Sequence, residues 1–392
     1  MYDFDELVER RGTNCFKWDD VKDGDLLPMW VADMDFKSPP AVIEALEARA
    51  RHGVFGYSGC WNTWYQVLLD WMKKRYGWEA RREWIDNSPG VVASLSMLVR
   101  AYTHPGDQVI IQTPVYSPFY SVVRSNGCQL IRNPLIMEDG KYRMDLDSLR
   151  PRITSRTRAI ILCSPHNPGG RVWSSDELKK LGEFCLERDI VMISDEIHCD
   201  LIFPEYRHNV LAALSPELEQ NSAIVNAPSK TFNIAGIQAA STIIPNEKLR
   251  NAYRHVLNNS GIDIPNVFAV TAMEAAYTHG EAWLEELMIY VQANYRLVRS
   301  FIQERIPQIK VMESEGTFLV WLDCRDLGMD DHELETFFRE QARLILSPGH
   351  IFGEEGRGFQ RMNIGCPRSL VQEALLRLES AMKRMQSKGW GQ

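Results

Sequence analysis

Apolar positions in the middle of the chain follow two alternating patterns. Short, mostly apolar runs occur at Val109-Ile110-Ile111, Ala159-Ile160-Ile161-Leu162, Ile190-Val191-Met192-Ile193, Ala223-Ile224-Val225 and Ser241-Thr242-Ile243-Ile244. Such runs suit strands buried on both faces. The segments between them carry apolar residues at helical spacing. Ser38-Pro39-Pro40 opens one helix with a cap residue and prolines, which need no amide donor in a first turn. That helix is expected from Ala41 to Ala50, with Gly53 as its stop. Ser174 and Glu177 have the spacing of a capping box, ahead of a helix to about Arg188. Strands alternating with helices predict βαβ units: an α/β fold with a mostly parallel central sheet covered on both faces.

The pattern changes after residue 280. One long helix is predicted from Glu281 to Arg305. Strands follow at Phe318-Leu319-Val320-Trp321 and around Met362 to Ile364, then a helix from Leu370 to Met385. This reads as a smaller α/β domain. The expected division is a large domain over 46–284 and a discontinuous small domain over 1–45 and 285–392. The N-terminal segment is expected to pack on the small domain or on a partner chain.

Composition narrows the partners. With 392 residues the chain has room for two or three domains. Its net charge of −8 argues against a nucleic-acid binder, which needs a basic face. No apolar run reaches the length of a membrane-spanning helix. The acidic opening Tyr2-Asp3-Phe4-Asp5-Glu6 is unlike a signal peptide, so a cytoplasmic protein with no membrane partner is expected. Eight cysteines without a CxxC pair read as reduced thiols. The histidines show no HExxH spacing, so no metal site is expected.

Ligands in α/β sheets bind beyond the carboxyl ends of the strands. Four segments just after predicted strands are polar and rich in Gly or Pro: Thr113 to Tyr116, Ser164 to Gly170, Ser194 to His198, and Ala227 to Lys230. A fifth, Ser88-Pro89-Gly90-Val91-Val92, precedes a helix whose N-terminus is a ready anion site. Together they offer a lysine, a carboxylate, an amide, an aromatic ring and a phosphate cradle. A pyridoxal 5'-phosphate (PLP) site requires that set. Singly each signal is weak: Asp195 serves equally as a helix cap, Tyr116 as core, and Asn167-Pro168-Gly169 as a turn.

These segments resemble the class I/II aminotransferase family, PLP fold type I, over essentially the whole chain. The resemblance is closer to its MalY/PatB-type cystathionine β-lyase (C–S lyase) branch. It rests on Pro28-Met29-Trp30-Val31-Ala32-Asp33-Met34-Asp35-Phe36, on Ser194 to His198, and on Ser229-Lys230-Thr231-Phe232-Asn233-Ile234-Ala235-Gly236. It implies Lys230 as the Schiff-base lysine and proton-transfer base, and Asp195 as the partner of the pyridine nitrogen. Asn167 becomes the ring-oxygen ligand and Tyr116 the stacking aromatic. Gly90, Val91 and Val92 fall at the phosphate turn, where Ser229 adds a hydroxyl. Tyr57 matches a tyrosine that reaches the neighbouring subunit's phosphate, which implies a homodimer. Arg361 matches the arginine that clamps the substrate α-carboxylate, with Asn167 beside it.

Three positions depart from the general aminotransferase pattern. His198 stands where a tyrosine is usual, in keeping with the lyase branch. Ala227 replaces a common phosphate-binding serine, and Gln238 an arginine or lysine, which implies a less cationic phosphate site. The resemblance implies β-elimination from L-cystathionine or a related cysteine S-conjugate, an amino-acid thioether, to a thiol, pyruvate and ammonia. Transamination on the same scaffold is the alternative, and an added regulatory role through a protein partner is a third. The aromatics Trp30, Phe36, Trp61 and Trp64 are candidates for a thioether pocket or, at least equally, for the core or the dimer interface.

Overall fold

The computed structural model describes residues 2–387. Seven strands form the main sheet: β1 (Ile85–Ser88), β2 (Gln108–Thr113), β3 (Gln129–Pro134), β4 (Thr157–Cys163), β5 (Val191–Asp195), β6 (Ser222–Asn226) and β7 (Ala240–Ile243). Their spatial order is β1-β7-β6-β5-β4-β2-β3. From β6 to β3 every pairing is parallel. Only β7 runs against its neighbours, β6 and β1.

The fully apolar runs make sense in this frame. Successive side chains on a strand point to opposite faces. Val109, Ile111, Ala159, Ile161, Ile193, Ala223 and Val225 enter one core cluster. Ile110, Ile160, Leu162, Met192 and Ile224 enter another. The central strands therefore feed two cores, one on each face of the sheet.

Helices cover both faces. They are α1 (Pro40–His52), α2 (Asn62–Tyr76), α3 (Val91–Tyr102), α4 (Pro118–Ser125), α5 (Ser175–Leu186), α6 (Glu247–Asn259) and α7 (Val267–His279). Helix α3 packs over β5, β6 and β7, with α6 behind it, and α7 packs against α1 and α2. Helix α1 starts on the predicted prolines and ends at Gly53, whose φ of +77° is the left-handed cap that glycine adopts without a Cβ clash. The capping box of α5, Ser174 with Glu177, is formed in both directions.

Helix α8 (Glu281–Arg305) runs from this body to a second sheet of four antiparallel strands. These are β8 (Lys310–Val311), β9 (Leu319–Asp323), β10 (Ser347–Pro348) and β11 (Phe359–Asn363), in the order β8-β9-β11-β10. Helix α9 (Arg368–Ser387) packs on α8. The positions 45/46 and 284/285 fall inside α1 and α8, so a continuous helix runs through each point where the sequence reading divides the chain.

The N-terminal segment bridges the two sheets. Leu27–Pro28 pairs in parallel with Leu344–Ile345 on the small-sheet side. The strap that follows is held from the main body by Asn233, whose amide donates to Met34 O (2.9 Å) and Phe36 O (2.7 Å). From the small sheet, Asn363 Nδ2 donates to Val31 O and Asp33 O, both at 2.6 Å. Buried Lys17 donates to Asp35 at 2.6 Å, and Arg10 pairs with Asp33 and Asp35.

Candidate active site

Strand order reverses between β2 and β4, and a crevice opens beyond their carboxyl ends. A cavity of about 360 Å³ lies there. Tyr116 comes from the segment after β2, Asn167 from the turn after β4, Asp195 from the last position of β5, and Lys230 from the short helix after β6. The parallel order of the sheet thus gathers residues separated by more than a hundred positions. Gly90, Val91, Val92, His198 and Ser229 of the predicted set lie on the same wall, and Arg361 and Tyr57 do not line it.

Lys230 Nζ donates to Ala32 O of the strap at 2.6 Å. Burial lowers its pKa to about 8, against the opposing pull of Asp33 and Asp195. Asp195 is 3% exposed, and burial raises its pKa to about 7. Its carboxylate accepts from Ile197 N at 3.1 Å. Desolvation, the largest influence in both cases, disfavours charge. Burial also lowers His198 to about 3, with the charges of Lys230 and Arg361 adding to the effect, so its imidazole is neutral. Its Nδ1 is buried without a partner.

Helix α3 begins at Gly90 with no side-chain cap, so its first-turn amides keep their donor capacity. A Cβ at Gly90 would meet nothing within 4 Å, so the cradle is open there. Gln238 reaches the same wall from a left-handed turn, φ +58°. Ala227 is buried within the apolar core behind α3.

Arg361, on β11, is 5% exposed. It donates to Asn167 Oδ1 (3.0 Å), Ser347 Oγ (3.1 Å) and Trp30 O (2.9 Å), all neutral. Its Nε has no partner, and burial lowers its pKa to about 10. Among the described residues no carboxylate pairs with it. A buried guanidinium with neutral supports, whose Nε has no partner among the described residues, is suited to receive a carboxylate.

These features fit PLP. The ring nitrogen, protonated, would give Asp195 the cation it lacks. The α3 amides and Ser229 would hold the phosphate, and the free groups of His198 and Asn167 would face the ring oxygen.

Tyr57 stands apart: it is 96% exposed and lies outside its own chain's cavity. Phe36 and Trp64 are core, Trp61 is 73% exposed, and Trp30 is half-buried beside Arg361. Among the wall residues outside the candidate set, Ala32 and Cys163 make polar contacts there. Ala32 contributes only a carbonyl, which no side-chain pattern signals. Cys163 ends β4, is 6% exposed, and accepts from Asn167 N at 3.3 Å. Its position at a strand end was the available signal.

Residues 25–378 match the model of the family described as aminotransferase class I and II, and the chain belongs to that family. It is 43% identical over 384 residues to the cystathionine beta-lyase PatB of Bacillus subtilis (strain 168), covering 97% of this chain and 99% of that protein. It is 35% identical over 390 residues to the protein MalY of Escherichia coli (strain K12), covering 98% and 99%. Among solved structures it resembles cystalysin from Treponema denticola, which contains a pyridoxal 5'-phosphate cofactor. The TM-score is 0.95 at 36% identity, covering 98% of this chain and 100% of that one.

Proposed function

We propose that this protein is a PLP-dependent C–S lyase. It cleaves L-cystathionine, or a related cysteine S-conjugate, with water to a thiol, pyruvate and ammonia. The observation that carries the reading is the pairing, across one cavity, of a lysine held near neutrality with a buried carboxylate lacking a cation. The lyase names of similar proteins support the choice of reaction.

Arg361 binds the substrate α-carboxylate through its unpartnered Nε, and Asn167 fixes the guanidinium plane. Bound PLP supplies an electron sink for the pair left at the α-carbon. Asp195 would hold the proton on the ring nitrogen, which keeps that sink effective. Tyr116 would stack on the ring. The amides of Gly90, Val91 and Val92 and the Ser229 hydroxyl would bind the phosphate. Lys230 takes the α-proton: with a pKa near 8 a useful fraction of its amine is neutral at neutral pH. Ala32 O holds that amine in place.

The working unit in this reading is a homodimer in which Tyr57 reaches the neighbouring phosphate. The exposed cluster Val54, Phe55, Tyr57 and Trp61 supports it. A cytoplasmic setting is supported by eight free cysteines.

The test is incubation of the holoenzyme with L-cystathionine and no keto acid. Pyruvate and free thiol are expected in equal amounts. Turnover that requires a keto acid and releases no thiol would move the function to transamination.

A further inference from the structure

A second polar cluster lies behind the turn that carries Asp195 and His198. Asp200 ends that turn and is 1% exposed. Three hydrogen-bond donors and one guanidinium converge on its carboxylate. Trp71 Nε1, at 3.0 Å, and the Tyr76 hydroxyl reach Oδ1. Arg75 Nε lies 3.0 Å from the same oxygen. The Thr231 hydroxyl donates to Oδ2 at 3.0 Å. Three of these groups come from the last turns of α2. The fourth is the residue next to Lys230.

A parallel link joins the other side of the lysine. Asn226 ends β6, and its amide donates to Cys199 Sγ at 2.9 Å. The Tyr277 hydroxyl in turn donates to Asn226 Oδ1 at 3.0 Å. The peptide bearing Lys230 is therefore tied at Asn226 and at Thr231 to one dipeptide, Cys199-Asp200. That dipeptide continues the turn holding Asp195 and His198. A buried carboxylate is costly to desolvate, and apolar packing would hold a short helix equally well. Hydrogen bonds of fixed direction on both flanks do what packing does not: they set the rotation of the helix Pro228–Thr231, and with it the aim of Lys230.

We propose that Asp200 is a positioning residue for Lys230, fixing the lysine relative to Asp195 and His198 through Thr231. The proposal rests on the reading that Lys230 carries the cofactor and moves the α-proton. Asp200 is not on the cavity wall and acts only through its neighbours.

Three variants test it, each prepared as holoenzyme with matched cofactor content. Thr231→Val removes the single bond to the lysine's helix and keeps the shape of a fully buried side chain. Asp200→Asn keeps size and removes the charge. Trp71→Phe removes a donor from α2 and leaves the Thr231 link intact. Thr231→Val and Asp200→Asn should lower kcat about tenfold or more, with KM for L-cystathionine within about twofold. Both should alter the visible circular dichroism of the cofactor in the resting enzyme. Trp71→Phe should lower the melting temperature yet keep kcat within about twofold and the dichroic band unchanged. Wild-type kcat and dichroism in Thr231→Val would overturn the proposal, as would kcat losses that track melting temperature across all three. Full turnover by Lys230→Ala would remove the underlying reading instead, and this proposal with it.

Discussion

Asp195 and Lys230 show how one cavity sets two charge states. Burial acts on both in the direction of neutrality, raising the acid to about 7 and lowering the amine to about 8. For Asp195 the sign of the linkage is definite. Its folded-state pKa lies above the unfolded value of 3.8, so the folded protein binds the proton more tightly. The stabilisation is fully present below about pH 4 and is lost as pH rises through 7. Cofactor-free Asp195→Asn should therefore melt above cofactor-free wild type at pH 8, on the order of 2–4 kcal/mol more stable. That gap should close below about pH 4, and the variant should lose PLP affinity; a constant gap across pH would refute the account. Arg361 makes a separate prediction. Lysine cannot reproduce three directed bonds to Asn167, Ser347 and Trp30 while keeping a further donor for substrate. Arg361→Lys should raise KM for L-cystathionine by about 10–100-fold with a smaller loss of kcat, measured by pyruvate release.

At the scale of elements, the strap of residues 30–36 joins sequence to site. It places Ala32 O on Lys230 and Trp30 O on Arg361, and Asn363 secures it from the small sheet. Asn363→Ala strands two carbonyls and frees the strap, so it should cost about 2–3 kcal/mol of stability. KM should rise more than kcat falls, because both ends of the substrate site shift; equal effects on the two would show that the strap serves stability alone. Little of this strap was legible from periodicity. Its residues alternate neither as strand nor as helix, and the bonds that hold its backbone carbonyls to the two sheets come from Asn233 and Asn363, far away in the chain. The strands feeding both cores, by contrast, announced themselves, as did α8, read from Glu281 to Arg305 and found there. The sequence reading passed over β1, whose Ile85-Asp86-Asn87-Ser88 is polar, and β3, an edge strand with four partly or fully exposed positions at its start. It also passed over the antiparallel direction of β7, since a buried run reads alike in both directions. The wall residues after β2, β4, β5 and β6 were legible because strand ends are where apolar runs give way to Pro, Gly and chemistry. Ala32 was not, because a carbonyl has no signature.

At the scale of the whole molecule, the role proposed for Tyr57 lies in a neighbouring chain's site, since it does not line the cavity of its own. It is almost fully exposed, and Phe55 beside it packs its ring on Phe268 at 5.7 Å, so the loop has one anchored and one free aromatic. Helix α2 starts just beyond this loop and ends on Asp200, so the loop and the Lys230 support share one rigid element. If Tyr57 serves the neighbouring phosphate, each site draws its lysine from one chain and its tyrosine from the other. Lys230→Ala should be inactive as a homodimer, and Tyr57→Ala should bind PLP weakly and turn over slowly. When the two are mixed in equal amounts and allowed to exchange subunits, half the dimers should be mixed. In each mixed dimer one site carries both substitutions and the other carries neither. Activity should therefore recover to about a quarter of wild type at saturating PLP, well above the mean of the parents. A mixture that shows only the parental mean would place the role of Tyr57 within its own chain, since no pairing of subunits could then rebuild an intact site.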